Sequence, residues 1–336
     1  MERIILAHGS GGRLHHQLVE EVFVRGLANP TLRQLLDAAV IELPGGQRLA
    51  FSTDSYVVDP PFFPGGDIGC LAVYGTANDL AVSGAVPRYL SAGFIIEEGF
   101  PRADLERVVA SMRQAAERLG VEVVTGDTKV VGRGQADKIF INTAGLGLVA
   151  AGVDLSPRRI RVNDRVLVSG TLGDHGLAIL GQRAGLSFDT PVASDCGPVV
   201  EIAQALLADD PAAVRCMRDP TRGGLATTLN ELAQQGQAAI RVDEERLPIR
   251  REVRGACAML GLDPLYLASE GKLVAVVAPQ AAEELLQRLR HSRGGEQAAI
   301  IGEVVEGPPG LVLRRTALGV ERVLGMLEGE ILPRIC

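Results

Sequence analysis

Four acidic residues sit beside glycines or other small residues at turn-like points of the sequence. They are Asp54 in Ser52-Thr53-Asp54-Ser55, Asp79 in Gly75-Thr76-Ala77-Asn78-Asp79, Asp127 in Thr125-Gly126-Asp127-Thr128-Lys129, and Asp219 in Asp219-Pro220-Thr221-Arg222-Gly223-Gly224. Each alone is equally well a turn or cap residue, positions that Asp favours. Together with the opening His8-Gly9-Ser10-Gly11-Gly12 they read as a magnesium-nucleotide site. Mg2+ takes carboxylate and phosphate oxygens in an octahedron, and Gly-rich backbone offers N–H groups to phosphate. No GxxxxGK[ST] run occurs, so this site is not a P-loop. The last residue, Cys336, is a second chemical candidate, either a chance thiol on a frayed end or a reactant that a narrow pocket can admit. Cys70, Cys196, Cys216 and Cys257 lie in apolar or Gly/Pro company with no CxxC pair, so they read as packing residues, not as a disulfide framework or a zinc knuckle.

These residues must be held by a sizeable scaffold. At 336 residues the length expectation is two domains. A hydrophobic content of 46% with 22% charged residues suits a chain with full cores. Lys plus Arg number 34 against 41 for Asp plus Glu, a formal charge of −7 with no basic block, which excludes nucleic acid and anionic membrane as partners of the bulk surface. The longest uncharged stretch, 139–153, contains three glycines and is too short to span a bilayer. No signal-peptide pattern opens the sequence, which places the protein in the cytoplasm.

The periodicity predicts a helix over 14–28, strands at 48–52 and 121–124 whose ends deliver Asp54 and Asp127, a closely packed small-residue helix within 66–84, a strand at 89–96, and a helix over 101–119 between Pro101 and Gly120. A polar, Pro-containing stretch, 154–163, marks the domain boundary. Beyond it, strands near 164–169, 214–217, 238–242, 272–278 and 299–305 alternate with helices near 198–207, 225–235 and 280–290. The expected fold class is α/β (α+β), each domain a mixed sheet with helices. The expected limits are 1–153, 154–327 and a flexible tail 328–336 in which Pro333 restricts the backbone before Cys336.

The blocks HGSGG at 8–12, FSTDSYVVDP at 51–60, FFPGGDIG at 62–69, GTANDLAVSGAVPRYLS at 75–91, TGDTKV at 125–130, SGTLGDHG at 169–176, DPTRGGL at 219–225, ASEGKL at 268–273 and the terminal PRIC closely resemble the hydrogenase maturation factors of the HypE family, in that family's order and over essentially the whole chain. The resemblance implies the PurM-like fold shared with aminoimidazole ribonucleotide synthetase and selenophosphate synthetase, with N-terminal domains pairing in a homodimer. It implies ATP-dependent dehydration of an S-carbamoyl group on Cys336 to a thiocyanate, the source of cyanide ligands for the [NiFe]-hydrogenase iron. Its cofactors are ATP and Mg2+. Its implied partners are the carbamoyltransferase HypF upstream and the HypC–HypD iron-scaffold complex downstream.

On that resemblance Asp54, Asp79, Asp127 and Asp219 hold Mg2+. His8, Gly9, Ser10, Gly11, Gly12, Asn78, Thr128, Arg222, Gly223 and Gly224 join Asp79 in binding the nucleotide. Glu270 is the base that takes the nitrogen protons. Lys129 holds the γ-phosphate or the carbamoyl oxygen, or simply pairs with Asp127. His8 and His175 are as well explained as ordinary hydrogen-bonders, and Arg222 as a phosphate clamp or a solvated charge. Arg334 is expected to offset negative charge beside Cys336. A sister enzyme making selenophosphate is disfavoured because the first cysteine is Cys70, and a non-catalytic thiol carrier leaves the acidic and Gly-rich blocks idle.

Overall fold

A computed structural model describes residues 3–185, 192–329 and 334–336. The first half contains α1 (Arg13–Leu18), β1 (Ala39–Glu42), β2 (Arg48–Tyr56), the short hairpin β3 (Phe62–Phe63) and β4 (Gly66–Asp67), α2 (Ile68–Val82), β5 (Ala85–Glu97), α3 (Arg102–Leu119), β6 (Glu122–Val131) and β7 (Ile139–Val149). The second half contains β8 (Arg165–Val168), α4 (Asp174–Ala184), α5 (Val200–Leu207), β9 (Val214–Arg218), α6 (Gly224–Gly236), β10 (Ala239–Asp243), α7 (Arg251–Leu260), β11 (Val274–Val277), α8 (Ala282–His291), β12 (Ala299–Val305), β13 (Val312–Arg315) and β14 (Glu321–Val323).

Five strands of the first half form a mixed sheet in the order β1-β2-β7-β5-β6, in which only β5 and β6 run parallel. Seven strands of the second half follow the order β14-β13-β10-β12-β8-β11-β9. Both sheets are mixed, as the sequence pattern implies. The pattern missed α7 and the β13–β14 pair, which are short.

Helix α2 joins the two halves. Asp67 caps it, its carboxylate accepting from Gly69 N–H at 2.7 Å and Cys70 N–H at 3.0 Å. Its residues are apolar or small nearly all round, and it is buried on nearly every side, as such a helix must be. Close approach on two sides demands glycine. A Cβ on Gly69 would lie 2.3 Å from Val108 O of α3, and one on Gly75 would lie 2.2 Å from Tyr56 Oη of β2. Thr143 Oγ1 of β7 donates to Ala72 O at 2.9 Å and fastens the helix to the sheet. Helix α3 follows its expected limits, burying Val108, Met112, Ala115 and Ala116 and ending in a left-handed Gly120. The helical turns 13–26 instead leave no residue of Arg13–Val24 fully buried.

Two strands run further than their sequence pattern suggests. β2 pairs with β7 through Tyr56, and β6 pairs with β5 through Val131, so Asp54 and Asp127 lie within strands and not at their ends. Alternation then decides which way each points. Ser52, Asp54 and Tyr56 face the helices, whereas Asp127 and Lys129 pair with Gly93 and Ile95 on the opposite, uncovered face. One sheet face carries helices; the other does not. Gly69→Ala is expected to destabilise the chain by about 1–3 kcal/mol in urea unfolding, because overpacking against Val108 O outweighs the helix propensity gained.

Candidate active site

β2, α2 and β9 converge where the two halves meet, and each delivers a carboxylate. Ser52 Oγ donates to Asp79 Oδ2 at 2.7 Å, which sets the Asp79 rotamer. Asp219 follows directly on β9. Asp37, just before β1, completes a cluster: one carboxylate oxygen each from Asp37, Asp79 and Asp219 lies within 4.8 Å of the others. Arg218 is the counter-ion at its edge, its Nε 3.2 Å from Asp37 Oδ1 and 2.9 Å from Glu231 Oε2, and His16 Nε2 is 2.6 Å from Glu231 Oε1.

The cluster opens into a cavity of about 260 Å³ lined also by Asp54, Glu270, Arg222, Gly11 and Cys336. A neighbouring cavity of about 200 Å³ is lined by Gly9, Ser10, Gly223, Arg334 and Ile335, and shares Arg222 and Cys336 with the first. Cys336 therefore stands in the wall between two cavities.

The last three residues are seated, not free. Val57 N–H donates to Cys336 O at 2.9 Å, Asp59 N–H to Arg334 O at 3.3 Å, and Arg183 to Arg334 O at 2.8 Å. His175, fully buried, donates from Nε2 to Ile335 O at 2.7 Å and accepts at Nδ1 from Ser194 Oγ at 2.7 Å. Burial pushes its pKa down, so it is a neutral tail anchor. Ile335 packs into the first-half core. The expectation of a flexible tail is thus corrected for 334–336, while Pro333 lies outside the described residues. Arg334 is corrected too. It bonds Asp137 and Val57 O and stacks over Phe140, and the cation beside the Cys336 thiol is Arg222.

Electrostatics across the cavity are those of too many carboxyls in too little water. Burial, then the charges of Asp219, Asp54 and Asp37, raise Asp79 well above the usual range. Burial, then Asp37, push Asp219 up to about 8. Glu270 is raised by burial and by Asp219, Asp195 and Asp54, and its Oε1 is buried without a hydrogen-bond partner. Burial also raises the Cys336 thiol, against the opposing pull of Arg222. An oxygen-rich cluster that repels its own charge fits a hard divalent cation. Asp37, Asp79 and Asp219 could hold such a cation, and Asp54 lines the same cavity.

Other expected site residues are placed differently. Asn78 does not face the cavity: its amide donates to Gly197 O at 3.0 Å and Glu270 O at 3.2 Å, and its Oδ1 accepts from Val199 N–H at 2.8 Å. It is a cross-brace that positions Glu270. His8 lines neither cavity and bonds Ile5 N–H. Gly12 and Gly224 serve close packing, since a Cβ would meet Leu327 O at 2.2 Å and Leu265 O at 2.5 Å. Asp127, Thr128 and Lys129 are not brought to the cavity. Asp127 shares a register row with Ser55, three strands away, or about 14 Å at the usual strand spacing, and it pairs with Lys129 at 2.8 Å on the exposed face. Asp37 and His16 were missed. Neither stands in a Gly-rich block, and only the tertiary fold carries them to the cluster.

Comparison with known proteins places this geometry. Residues 36–149 match the N-terminal domain, and residues 161–313 the C-terminal domain, of the AIR synthase related proteins. The carbamoyl dehydratase HypE of Azotobacter vinelandii is 52% identical over 98% of this chain and 96% of its own length, and that of Escherichia coli K12 is 49% identical over 100% of both. The chain belongs to the HypE carbamoyl dehydratase family. A solved HypE in complex with ATP superposes with a TM-score of 0.83 at 52% identity, covering 99% of this chain and all of that one. A HypE–HypF complex gives 0.88 at 44% identity, covering 92% of this chain and 99% of that one. The HypE fold is PurM-like, and no helix among its described residues here is long and apolar enough to cross a membrane.

Raised carboxyl pKa values have a sign for stability. Asp219 ionises near 4 when unfolded but near 8 when folded, so the folded state binds the extra proton and loses stability as pH rises between those values. Asp219→Asn is expected to raise the metal-free melting temperature by a few degrees at pH 8 and much less at pH 4. A larger gain at pH 4 than at pH 8 refutes this assignment.

Proposed function

We propose that Cys336 is the substrate-bearing residue, and that this chain dehydrates an S-carbamoyl group on it to a thiocyanate for hydrogenase maturation. Carbamoyl dehydratase activity is that of the family. The observation that carries the residue assignment is the joint lining of one cavity by Cys336, Arg222, Glu270 and the aspartate cluster.

A carbamoyl oxygen cannot leave as oxide. ATP supplies the phosphoryl group that turns it into a phosphate ester, and a bound Mg2+ would supply positive charge to the phosphoryl oxygens. Asp37, Asp79 and Asp219 would hold the metal. Arg222, which shares both cavities with Cys336 and whose charge acts on its thiol, meets the phosphate or the carbamoyl oxygen. Expelling phosphate to form the C≡N bond removes protons from nitrogen, and Glu270 is placed to take one. Its Oε1 is a buried acceptor without a hydrogen-bond partner, and a carboxylate whose pKa is raised is a stronger base once ionised. Binding the cation beside it favours that ionisation.

Asp127, Thr128 and Lys129 enter through a second copy. The uncovered face of the first sheet exposes Phe51, Tyr89, Ile95, Leu146 and Leu148, too large an apolar surface to leave bare. Pairing two such faces makes the homodimer and brings one copy's Lys129 toward the other's cavity. A carbamoyltransferase of the HypF kind loads the thiol, and a HypC–HypD scaffold receives the cyanide.

Intact-mass analysis of the C-terminal peptide after incubation with carbamoyl donor, carbamoyltransferase and MgATP is expected to show a cyano group on Cys336, and none in Cys336→Ser. A Cys336→Ser protein that turns over ATP on a free small substrate would overturn the reading. Glu270→Gln should retain ATP binding yet lose cyano formation by at least about 100-fold. Mixing Lys129→Ala with Cys336→Ser protein separates the two arrangements of Lys129. If it acts across the dimer, random exchange restores about a quarter of wild-type sites; no activity in the mixture means that it acts within its own chain, and full activity of Lys129→Ala alone means that it does not act.

A further inference from the structure

Two thiols that the reaction does not use touch each other where the halves of the chain meet. Cys70 is the third residue of α2 and Cys196 lies in the loop 192–199; both are half-buried and their Sγ atoms are 3.8 Å apart. That loop supports both sides of the active site. Cys196 N–H donates to Ser194 Oγ at 2.9 Å, and this hydroxyl is the one that bonds His175, the holder of Ile335 O. On its other side Asp195 Oδ1 accepts Glu270 N–H at 3.1 Å, and Gly197 O accepts from Asn78. The loop also docks on the hairpin before α2, Ser194 N–H donating to Pro64 O at 2.7 Å.

We propose that Cys70 and Cys196 form a reversible disulfide, a redox modification site that locks the α2 start to the loop holding the tail and Glu270. The two sulfurs are already in contact at 3.8 Å, against a disulfide bond of about 2.05 Å. The oxidant is a small-molecule disulfide of the glutathione class. The Cys70 thiolate attacks one of its sulfurs, forming a mixed disulfide and expelling one thiolate. Cys196, giving its proton to solvent, then attacks Cys70 Sγ and expels the second. Two protein thiols lose two electrons and two protons, and one small disulfide becomes two thiols. Cys70 suits the attacking role: the hydrogen bond with Cys196 holds its pKa below that of an ordinary thiol, whereas Cys196 is raised.

The consequence rests on the reading that Cys336 must leave its seat to be loaded and to pass on its cyano group; the disulfide itself does not. With the loop locked, the His175–Ile335 anchor is stiffened and release of the tail slows.

The full-length protein is equilibrated in glutathione buffers from fully reduced to strongly oxidising, quenched with maleimide and digested. A Cys70–Cys196 linked peptide pair, two hydrogens lighter than the free pair, is expected in the oxidised samples, reversed by dithiothreitol and missing from Cys70→Ser. Oxidation should slow maleimide labelling of Cys336 several-fold in the parent chain and leave it unchanged in Cys70→Ser. Mixed glutathione disulfides without the linked pair overturn the site. A linked pair with unaltered Cys336 labelling overturns the lock. Failure of the dehydratase reading is seen separately, in the Cys336→Ser turnover experiment, and does not alter the peptide map.

Discussion

Burying several carboxyls around one small cavity is the constraint on which the rest of this molecule depends. Two unit charges about 5 Å apart repel by roughly 3 kcal/mol at the screening typical of protein sites, and Asp37, Asp79 and Asp219 lie that close with Asp54 and Glu270 on the same wall. Arg218 and Arg222 offset part of that repulsion, and burial with mutual repulsion raises the pKa values of Asp79, Asp219 and Glu270. The arrangement persists because the surrounding structure over-determines it. Asp79 rides on a helix that is apolar nearly all round, locked by glycine contacts to β2 and α3, and Asp219 is fixed by the end of a paired strand. A cation bound there would return the stability given up.

The same constraint gives the tail its place. A thiol seated beside Arg222 and a wall of carboxyls stays protonated and unreactive as a nucleophile, which suits a residue that carries a group into the cavity and does not attack there. Cys336 is held through its backbone by Val57, and the two residues before it are held by Asp59, Arg183 and His175. Backbone anchoring leaves the sulfur free to bear carbamoyl or cyano groups without loss of the contacts that align it.

Glycine recurs for reasons that differ from place to place. In the opening Gly-rich block, Gly9 and Gly11 face cavities, yet Gly12 allows the backbone of Leu327 to approach as the chain turns toward its end. In the block after β9, Gly223 lines a cavity and Gly224 packs beneath Leu265 and Leu267. A Gly-rich motif thus shapes the route of the tail as much as it receives a ligand.

Residue type and spacing alone were enough for the alternation of strands and helices and the two mixed sheets, and the motif blocks for the family. Those features are local or periodic, and a chain must display them to fold at all. What local pattern does not encode is which strand continues and which face it turns outward. β6 runs past Thr125–Lys129 because β5 offers it partners at every step, and that pairing, not the motif, sends Asp127 to the far side of the sheet. Asp37 and His16 join the cluster, Asn78 becomes a brace, Arg222 replaces Arg334 beside the thiol, and Cys70 meets Cys196 across 126 positions of sequence. Each of these depends on distances between segments remote along the chain, which only the packing of α2 between the two halves determines.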